Sequence, residues 1–386
     1  MKNLNAGQRL WEAQKQQGTG LCIGLDPHFN PQAGFDEDLY LYYASQDTTL
    51  WFSNFFHLLA EFPGHNGRLG GHRGPVFLSG VTNYCLRVVE AGWKNGICIF
   101  KPQSAFYEQF GPVAFIIMAR VRQEIARHHS PAFVIDDAKR GDIDTTQAAY
   151  LQSILTDTVM EMVPGVYGQL DFDAMTVTTW MGQDVLTPAL PYLRVGKGVI
   201  VVTRTSNPSG TTLQDALVYP NPNVPLSDKQ EPFRFTHETW KATESIIGRD
   251  PTACEVMMYL TEKFCRDNDL IQGGASPVFS VIGATVEMDE GFRKLRPTGI
   301  ALIPGFGAQL GEFEDIIKLA ILEGPLAGHL GILNSARASM FAWHTKFGGG
   351  GDPSPEKLEG EVSRYINQFR ADEKAAYAAA GVGYPF

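Results

Sequence analysis

The stretch Ala132-Phe133-Val134-Ile135-Asp136-Asp137-Ala138-Lys139-Arg140-Gly141-Asp142-Ile143 sets an apolar run directly against three acids and two bases. An apolar run of this length, bounded by charge, reads as a buried strand of a parallel sheet. Side chains two apart in a strand share a face, so Asp137 and Lys139 point one way and Asp136 the other. A carboxylate and an ammonium are thereby delivered together at a strand's C-terminal end, with Asp142 just beyond. Exposed ion pairs contribute little to stability. A pair that begins inside the protein is costly unless it has chemistry to perform.

Working outward, apolar runs of the same kind recur at residues 20–25, 97–100, 173–178, 198–203, 277–283, 299–303 and 329–333. Between them the period changes to helical, at 4–17, 38–62, 76–94, 113–128, 144–163, 236–247 and 252–267, with a closing helical pattern in 356–379. Eight short strands alternating with helices predict an α/β fold, a (β/α)8 TIM barrel. A barrel of this kind needs roughly 250 residues, and the chain has 386. The surplus falls after strands one and five, at about 35–75 and 207–275. Both insertions leave from strand C-termini, so they are expected to form a lid or wall over the catalytic face of a single domain, 1–386. The proline-rich segment 220–232 reads as an exposed loop, and the glycine run 348–351, which lacks the GK[ST] of a phosphate loop, as a linker.

Composition narrows the function. A net charge of -10 argues against a nucleic-acid binder working through a basic surface. The five cysteines form no CxxC and fit a reduced protein, the histidines are scattered, and His128-His129 sits at a helix end, so no metal site is expected. The first helix is polar, and no apolar run approaches the ~20 residues that span a bilayer, so a cytoplasmic protein without membrane contact is expected.

In barrels the functional side chains sit where strands end. Those positions hold Asp26, Lys101, Asp137 with Lys139, Thr178, Ser206, the turn Pro304-Gly305-Phe306-Gly307-Ala308-Gln309, and Arg337. Alternate glycines after strand seven let backbone amides converge on an anion, and a guanidinium after strand eight suits bidentate phosphate binding. A phosphorylated small molecule is the expected substrate.

These motifs carry a resemblance. Asp137-x-Lys139-x-x-Asp142-Ile143 with Thr146, Gly24-Leu25-Asp26-Pro27, Phe100-Lys101-Pro102-Gln103, Thr205-Ser206-Asn207-Pro208, Pro304-Gly305-x-Gly307-Ala308-Gln309 and Arg337 together resemble the orotidine 5'-phosphate decarboxylase family, in its longer-chain branch. The resemblance implies conversion of orotidylate to UMP and CO2 in pyrimidine biosynthesis, a homodimer with shared active sites, no metal and no organic cofactor. It implies an array of Lys101, Asp137 and Lys139 completed by Asp142 of the other subunit, with Lys139 stabilising the carbanion and donating the proton. Asp26 and Lys101 would meet the ribose, Ser206 the pyrimidine edge, and Gln309 and Arg337 the phosphate. Thr146 would reach across the interface, and Ile143, Pro304, Gly305 and Gly307 complete the substrate-binding set. Where shorter members carry a glycine before the phosphate arginine, this chain has Ala336. Competing expectations are a Mg-dependent sugar-phosphate decarboxylase or aldolase of the same superfamily, a Schiff-base aldolase using Lys101 or Lys139, and a non-catalytic nucleotide-binding barrel.

Overall fold

The computed structural model describes residues 4–29, 37–45, 73–128, 132–155, 170–221, 236–284, 291–305, 313–321, 324 and 326–386. Eight parallel strands close into a barrel in chain order: β1 (Leu21–Leu25), β2 (Ile99–Pro102), β3 (Phe133–Arg140), β4 (Ala174–Val177), β5 (Gly198–Arg204), β6 (Val278–Ile282), β7 (Ala301–Pro304) and β8 (Ile332–Ser335), which returns to β1. The expected (β/α)8 barrel is the fold.

Strand alternation sorts the side chains. Cys22, Ile99, Ile135, Ala174, Ile200, Phe279, Leu302 and Ile332 share one buried cluster, while their neighbours Ile23, Phe100, Val134, Met175, Val199 and Leu333 join the cluster that includes the surrounding helices. Helix α1 (Ala6–Gln17) contributes Ala6, Leu10 and Ala13 to the first cluster and so stoppers the end opposite the strand C-termini. A capping box between Asn5 and Gln8 starts it, and the Gln14 amide donates to Gly331 O at 2.8 Å.

Helix α2 (Glu37–Ser45) packs along α3 (Arg73–Lys94), with Tyr40 edge-on to Tyr84 at 5.9 Å. α2 is the described part of the first insertion and packs on the helical layer; residues 46–62 of the helix expected at 38–62 lie outside the described residues. Then come α4 (Ser104–Glu108), α5 (Ala114–Arg127) and α6 (Asp144–Leu155). The expected continuation of α6 to residue 163 lies outside the described residues, as does most of the loop at 220–232. Helices α7 (His237–Ile247) and α8 (Ala253–Asp267) follow β5, and α8 packs against β5 and β6 as an ordinary barrel helix does. The true surplus after β5 is therefore smaller than 207–275. Helix α9 (Gly291–Leu295) precedes β7, α10 (Arg337–Met340) follows β8, and α11 (Pro355–Ala379) buries Leu358, Val362, Ile366 and Phe369 on one face.

Expectations shift at β2, β7, β8 and the glycine run, β7 starting at Ala301 and not at residue 299. β2 starts two residues late because the Cys98 amide donates to Gln17 Oε1 of α1 at 3.0 Å, which places Lys101 inside the strand. β8 starts at Ile332 because His329 and Gly331 belong to the turn before it. The glycine run 348–351 is no loose linker: Gly349 N donates to His344 O at 3.2 Å, Gly350 N to Glu361 Oε1 at 3.0 Å and Gly351 N to Trp343 O at 2.7 Å. Glycine is needed at 349 because a Cβ there would lie 2.2 Å from Ala342 O, and at 348 and 351 because their φ of 79 and 82 is left-handed.

Gly24 faces the segment that leads into α10. A Cβ on it would lie 2.5 Å from Ala336 Cβ and 2.8 Å from Ala336 Cα. Gly24→Val is expected to destabilise the protein by about 1–3 kcal/mol and to displace Ala336 and, with it, Arg337. Urea unfolding checks this, and an unchanged midpoint would contradict the close approach.

Candidate active site

β2 and β3 are neighbours, and their inward charges meet. Lys101 Nζ donates to Asp137 Oδ2 at 2.8 Å, and Lys139 Nζ donates to Asp137 Oδ1 at 2.6 Å. Two neutral donors complete the shell: Gln103 Nε2 reaches Oδ2 at 3.3 Å and Thr176 Oγ1 reaches Oδ1 at 2.9 Å. Each carboxylate oxygen thus receives one ammonium and one neutral donor. Burial alone would raise the Asp137 pKa, but Lys101 and then Lys139 hold the carboxyl well below the usual carboxylate range. Burial would likewise lower Lys101, and the charges of Asp137 and Asp26 outweigh it, keeping that ammonium above its ordinary value. The Lys101 side chain is sealed at 3% exposure, whereas that of Lys139 is 45% exposed and stands at the mouth.

Simple alternation does not carry Lys139 to this place. The β3–β4 register shifts between Asp136 and Arg140, and Lys139 is left-handed at φ 50. A side chain in that conformation costs on the order of 1–2 kcal/mol. The displaced Lys139 N–H donates to Thr176 Oγ1 at 2.8 Å. Asp137 and Lys139 do share a face as expected, by way of a bulge.

Asp136 points the other way and is fully buried. Burial pushes its carboxyl up to about 7, although the hydrogen bond from Ser104 Oγ at 2.5 Å opposes the rise. Ser104 opens α4, so this contact fastens the loop that carries Gln103 to β3.

Asp26 ends β1 and is 8% exposed. Burial raises it to about 6 against the lowering pull of Lys101, and its Oδ1 has no hydrogen-bond partner among the described residues. A buried acceptor without a donor matches a hydroxyl-bearing ligand. The Arg337 guanidinium makes no hydrogen bond or ion pair among the described residues, and its charge is felt at Asp26 and His28. Burial, with Arg337 adding to it, lowers His28 to about 4, so the imidazole is neutral beside that guanidinium at physiological pH. Asn334, inward on β8 and 5% exposed, carries another unpartnered oxygen, Oδ1.

After β5, the Arg204 fork grips both Asp215 oxygens at 2.7 Å, and Gln214 Oε1 accepts from the Thr205 amide at 2.9 Å. These contacts hold the turn that presents Ser206. Pro304 ends β7, and Gly305 turns the chain at φ 113, a conformation open to glycine. Gly307 and Gln309 lie outside the described residues. Asp142 accepts from the Ile143 amide at 2.8 Å, and its own amide donates to Gln147 Oε1 at 3.1 Å; among the described residues it does not touch Lys139. Ile143 is 50% exposed and Thr146 is exposed. A single chain therefore brings Asp26, Lys101, Asp137 and Lys139 together, while among the described residues Asp142, Ile143 and Thr146 make no hydrogen bond or ion pair with them.

Sequence reasoning missed the contacts of Gln103, Ser104 and Thr176. Gln103 lay in a quoted motif without a role. Thr176 was passed over for Thr178, although alternation from the inward Ala174 points to it.

A barrel whose strand ends join two ammoniums through one buried carboxylate, with the Arg337 guanidinium near enough to act on Asp26 and His28, is suited to a small anionic substrate. The family profile described as "Orotidine 5'-phosphate decarboxylase / HUMPS family" matches residues 82–231. Orotidine 5'-phosphate decarboxylase of Rhodopirellula baltica is 31% identical over 265 residues, 68% of this chain and 73% of that one. The chain belongs to the orotidine 5'-phosphate decarboxylase family. The Corynebacterium glutamicum enzyme of the same name is 29% identical over 86% of this chain and 90% of its own. The fold is shared with Leishmania donovani OMP decarboxylase, at TM-score 0.54 and 20% identity over 95% of this chain and all of that one. It is shared too with the Plasmodium berghei enzyme, at TM-score 0.58 and 18% identity over 95% and 99% of the two chains.

Asp26 makes a pH-dependent signature in the ligand-free protein. Its folded pKa, about 6, lies above the ordinary 3.8, so ionising it weakens the fold as pH rises through that window. Asp26→Asn is expected to stabilise the ligand-free protein above about pH 6, by roughly 3 kcal/mol, and to have no effect below about pH 4. Denaturant unfolding across this range measures the difference, whose absence would place Asp26 in a solvated position.

Proposed function

We propose that this enzyme converts orotidine 5'-phosphate to UMP and CO2, with Lys139 as carbanion stabiliser and proton donor. The observation that carries the assignment of roles is the Lys101–Asp137–Lys139 chain, whose three groups sum to one net positive charge at the mouth of the barrel. Breaking the bond between C6 and the carboxylate leaves an electron pair in the ring plane, where the ring carbonyls cannot delocalise it. A fixed ammonium beside C6 stabilises that charge, and the same ammonium then transfers its proton to C6. The amine left behind regains a proton from solvent. Asp137, held ionised by its four donors, aims Lys139 through the contact of its Oδ1 with the ammonium.

The unpartnered Asp26 Oδ1, with Lys101 beside it, is suited to ribose hydroxyls. Arg337 and the turn opened by Pro304 and Gly305, continuing to Gly307 and Gln309, are assigned to the phosphate, and Ser206 to the pyrimidine edge. Binding energy from the remote phosphate can be used to lower the barrier at C6. The chemistry uses neither a metal nor an organic cofactor: both Asp137 oxygens are already engaged by ammoniums, which disfavours a cation there. The sugar-phosphate alternative expects an acidic ligand where β2 carries Lys101. Activity that is lost on exhaustive EDTA treatment and restored by Mg²⁺ would favour that alternative.

The working form is read as a homodimer of single-domain barrels, 1–386, in which Asp142, Ile143 and Thr146 serve the partner's site. Three observations support this. Asp142 makes no hydrogen bond or ion pair with Lys139 among the described residues; Ile143 and Tyr150 are 50% and 37% exposed; and the neighbouring turn after β4 exposes Met181 at 56%. Among the described residues no helix is long and apolar enough to cross a membrane, and a cytoplasmic location is proposed.

Lys139→Ala is expected to abolish decarboxylation, followed by orotidylate absorbance, with the fold intact. Retention of more than about 1% of the rate, a loss under ~3 kcal/mol, would remove Lys139 as proton donor. Arg337→Ala should weaken phosphate binding, and unchanged kcat/KM would reassign that arginine. Mixing inactive Lys139→Ala and Asp142→Ala subunits should restore one functional site per heterodimer, and no recovery after subunit exchange would refute the shared site.

A further inference from the structure

We propose that Thr176 is a positioning residue for decarboxylation, its hydroxyl clamping the main chain and the side chain of Lys139 together through Asp137. The inference rests on the reading of Lys139 as the group that acts on C6. Thr176 is fully buried on β4, and its hydroxyl does two things at once. It accepts from the Lys139 N–H at 2.8 Å and donates to Asp137 Oδ1 at 2.9 Å. The same Oδ1 accepts from Lys139 Nζ at 2.6 Å. The links close a ring that runs from the Lys139 amide through the Thr176 hydroxyl and one carboxylate oxygen to the Lys139 ammonium. A hydroxyl, with one proton and two lone pairs, can serve both ends; a methyl of the same size can serve neither.

The clamp matters because, among the described residues, Lys139 has the Thr176 hydroxyl as acceptor for its N–H and the Asp137 carboxylate for its ammonium. Its backbone is left-handed, and the β3–β4 register breaks there, so the sheet does not take up its N–H. Its side chain is 45% exposed and long, hence poorly restrained by packing. Without the hydroxyl, the N–H loses its acceptor and Asp137 Oδ1 loses a donor that favours its ionised form. Lys101 and Gln103 sit on the other oxygen and cannot replace it. The charged groups that bear on Asp137 from the surrounding strands are Lys101, Asp26, Asp136 and Lys139; among the described residues the Thr176 hydroxyl meets the Lys139 main chain and the Asp137 carboxylate.

The test compares purified Thr176→Val, Thr176→Ser and Lys139→Ala with the unaltered enzyme, in orotidylate decarboxylation from acid to alkaline pH. Thermal unfolding establishes that each is folded. Thr176→Val is expected to lower kcat about 100-fold, the loss typical of a reacting group misplaced by about an ångström, with KM changed less than about 3-fold. The acid limb of its kcat profile should move to higher pH, because Asp137 becomes easier to protonate. Thr176→Ser, which keeps the hydroxyl, should return both the rate and the pH limb towards the unaltered enzyme, which a purely structural role would not do. The proposal is overturned if folded Thr176→Val keeps kcat within about 3-fold, or if Thr176→Ser is as impaired as the valine variant. Should the valine chain not fold, Thr176→Ala is read against the same thresholds. An active Lys139→Ala would defeat the reading of Lys139 itself, whereas an inactive Lys139→Ala beside a fully active Thr176→Val would defeat only the role of Thr176.

Discussion

One buried carboxylate organises the catalytic end of this barrel. Asp137 is withdrawn from water, which by itself would favour its neutral form, and it stays ionised because two ammoniums and two neutral donors surround it. Removing one partner from such a group leaves a charge uncompensated in a low dielectric, a penalty of several kcal/mol. The arrangement is thus all-or-none. Lys101 is fixed on β2, Gln103 by the cap of the helix after it, Thr176 on β4 and Lys139 on β3 itself. Three adjacent strands must be in register for one carboxylate to be satisfied.

The two aspartates in sequence show how the same residue type takes opposite roles. Asp137 faces inward, towards cations, and is held charged. Asp136 faces the helical layer, has a single hydroxyl donor, and is raised towards neutrality. Asp26 lies between these extremes, buried like Asp136 but within the field of Lys101 and Arg337. Environment, through burial and the count of nearby cations, separates three identical side chains into a fixed anion, a structural anchor and a buried acceptor of intermediate charge.

Much of the architecture was legible in the chain. The eight apolar runs predicted strands within a few residues, because a strand buried on both faces has few ways to be written other than as a short apolar block. The charges at the ends of these runs marked Asp26, Lys101, Asp137, Lys139 and Arg337, since such groups follow a core strand for a reason. Less legible were the edges. β2 and β8 slid because hydrogen bonds from α1 and a glycine turn, both distant in sequence, decide where pairing begins. The glycine run near residue 350 resembled a linker in composition and is a hydrogen-bonded turn in space.

The sequence by itself determined the barrel, the order of its strands and the identity of the charges delivered to its mouth, because strand alternation and apolar blocks are local properties. Only the tertiary structure decided which of those charges share a carboxylate, that Lys139 reaches it through a left-handed bulge, and that a threonine from the next strand secures both. It also decided that Asp142, a few residues from Lys139 along the chain, makes no hydrogen bond or ion pair with it among the described residues. The physical reason is common to all of these. Burial and hydrogen bonding are set by neighbours brought in by other strands, and no local pattern in the chain encodes who those neighbours are.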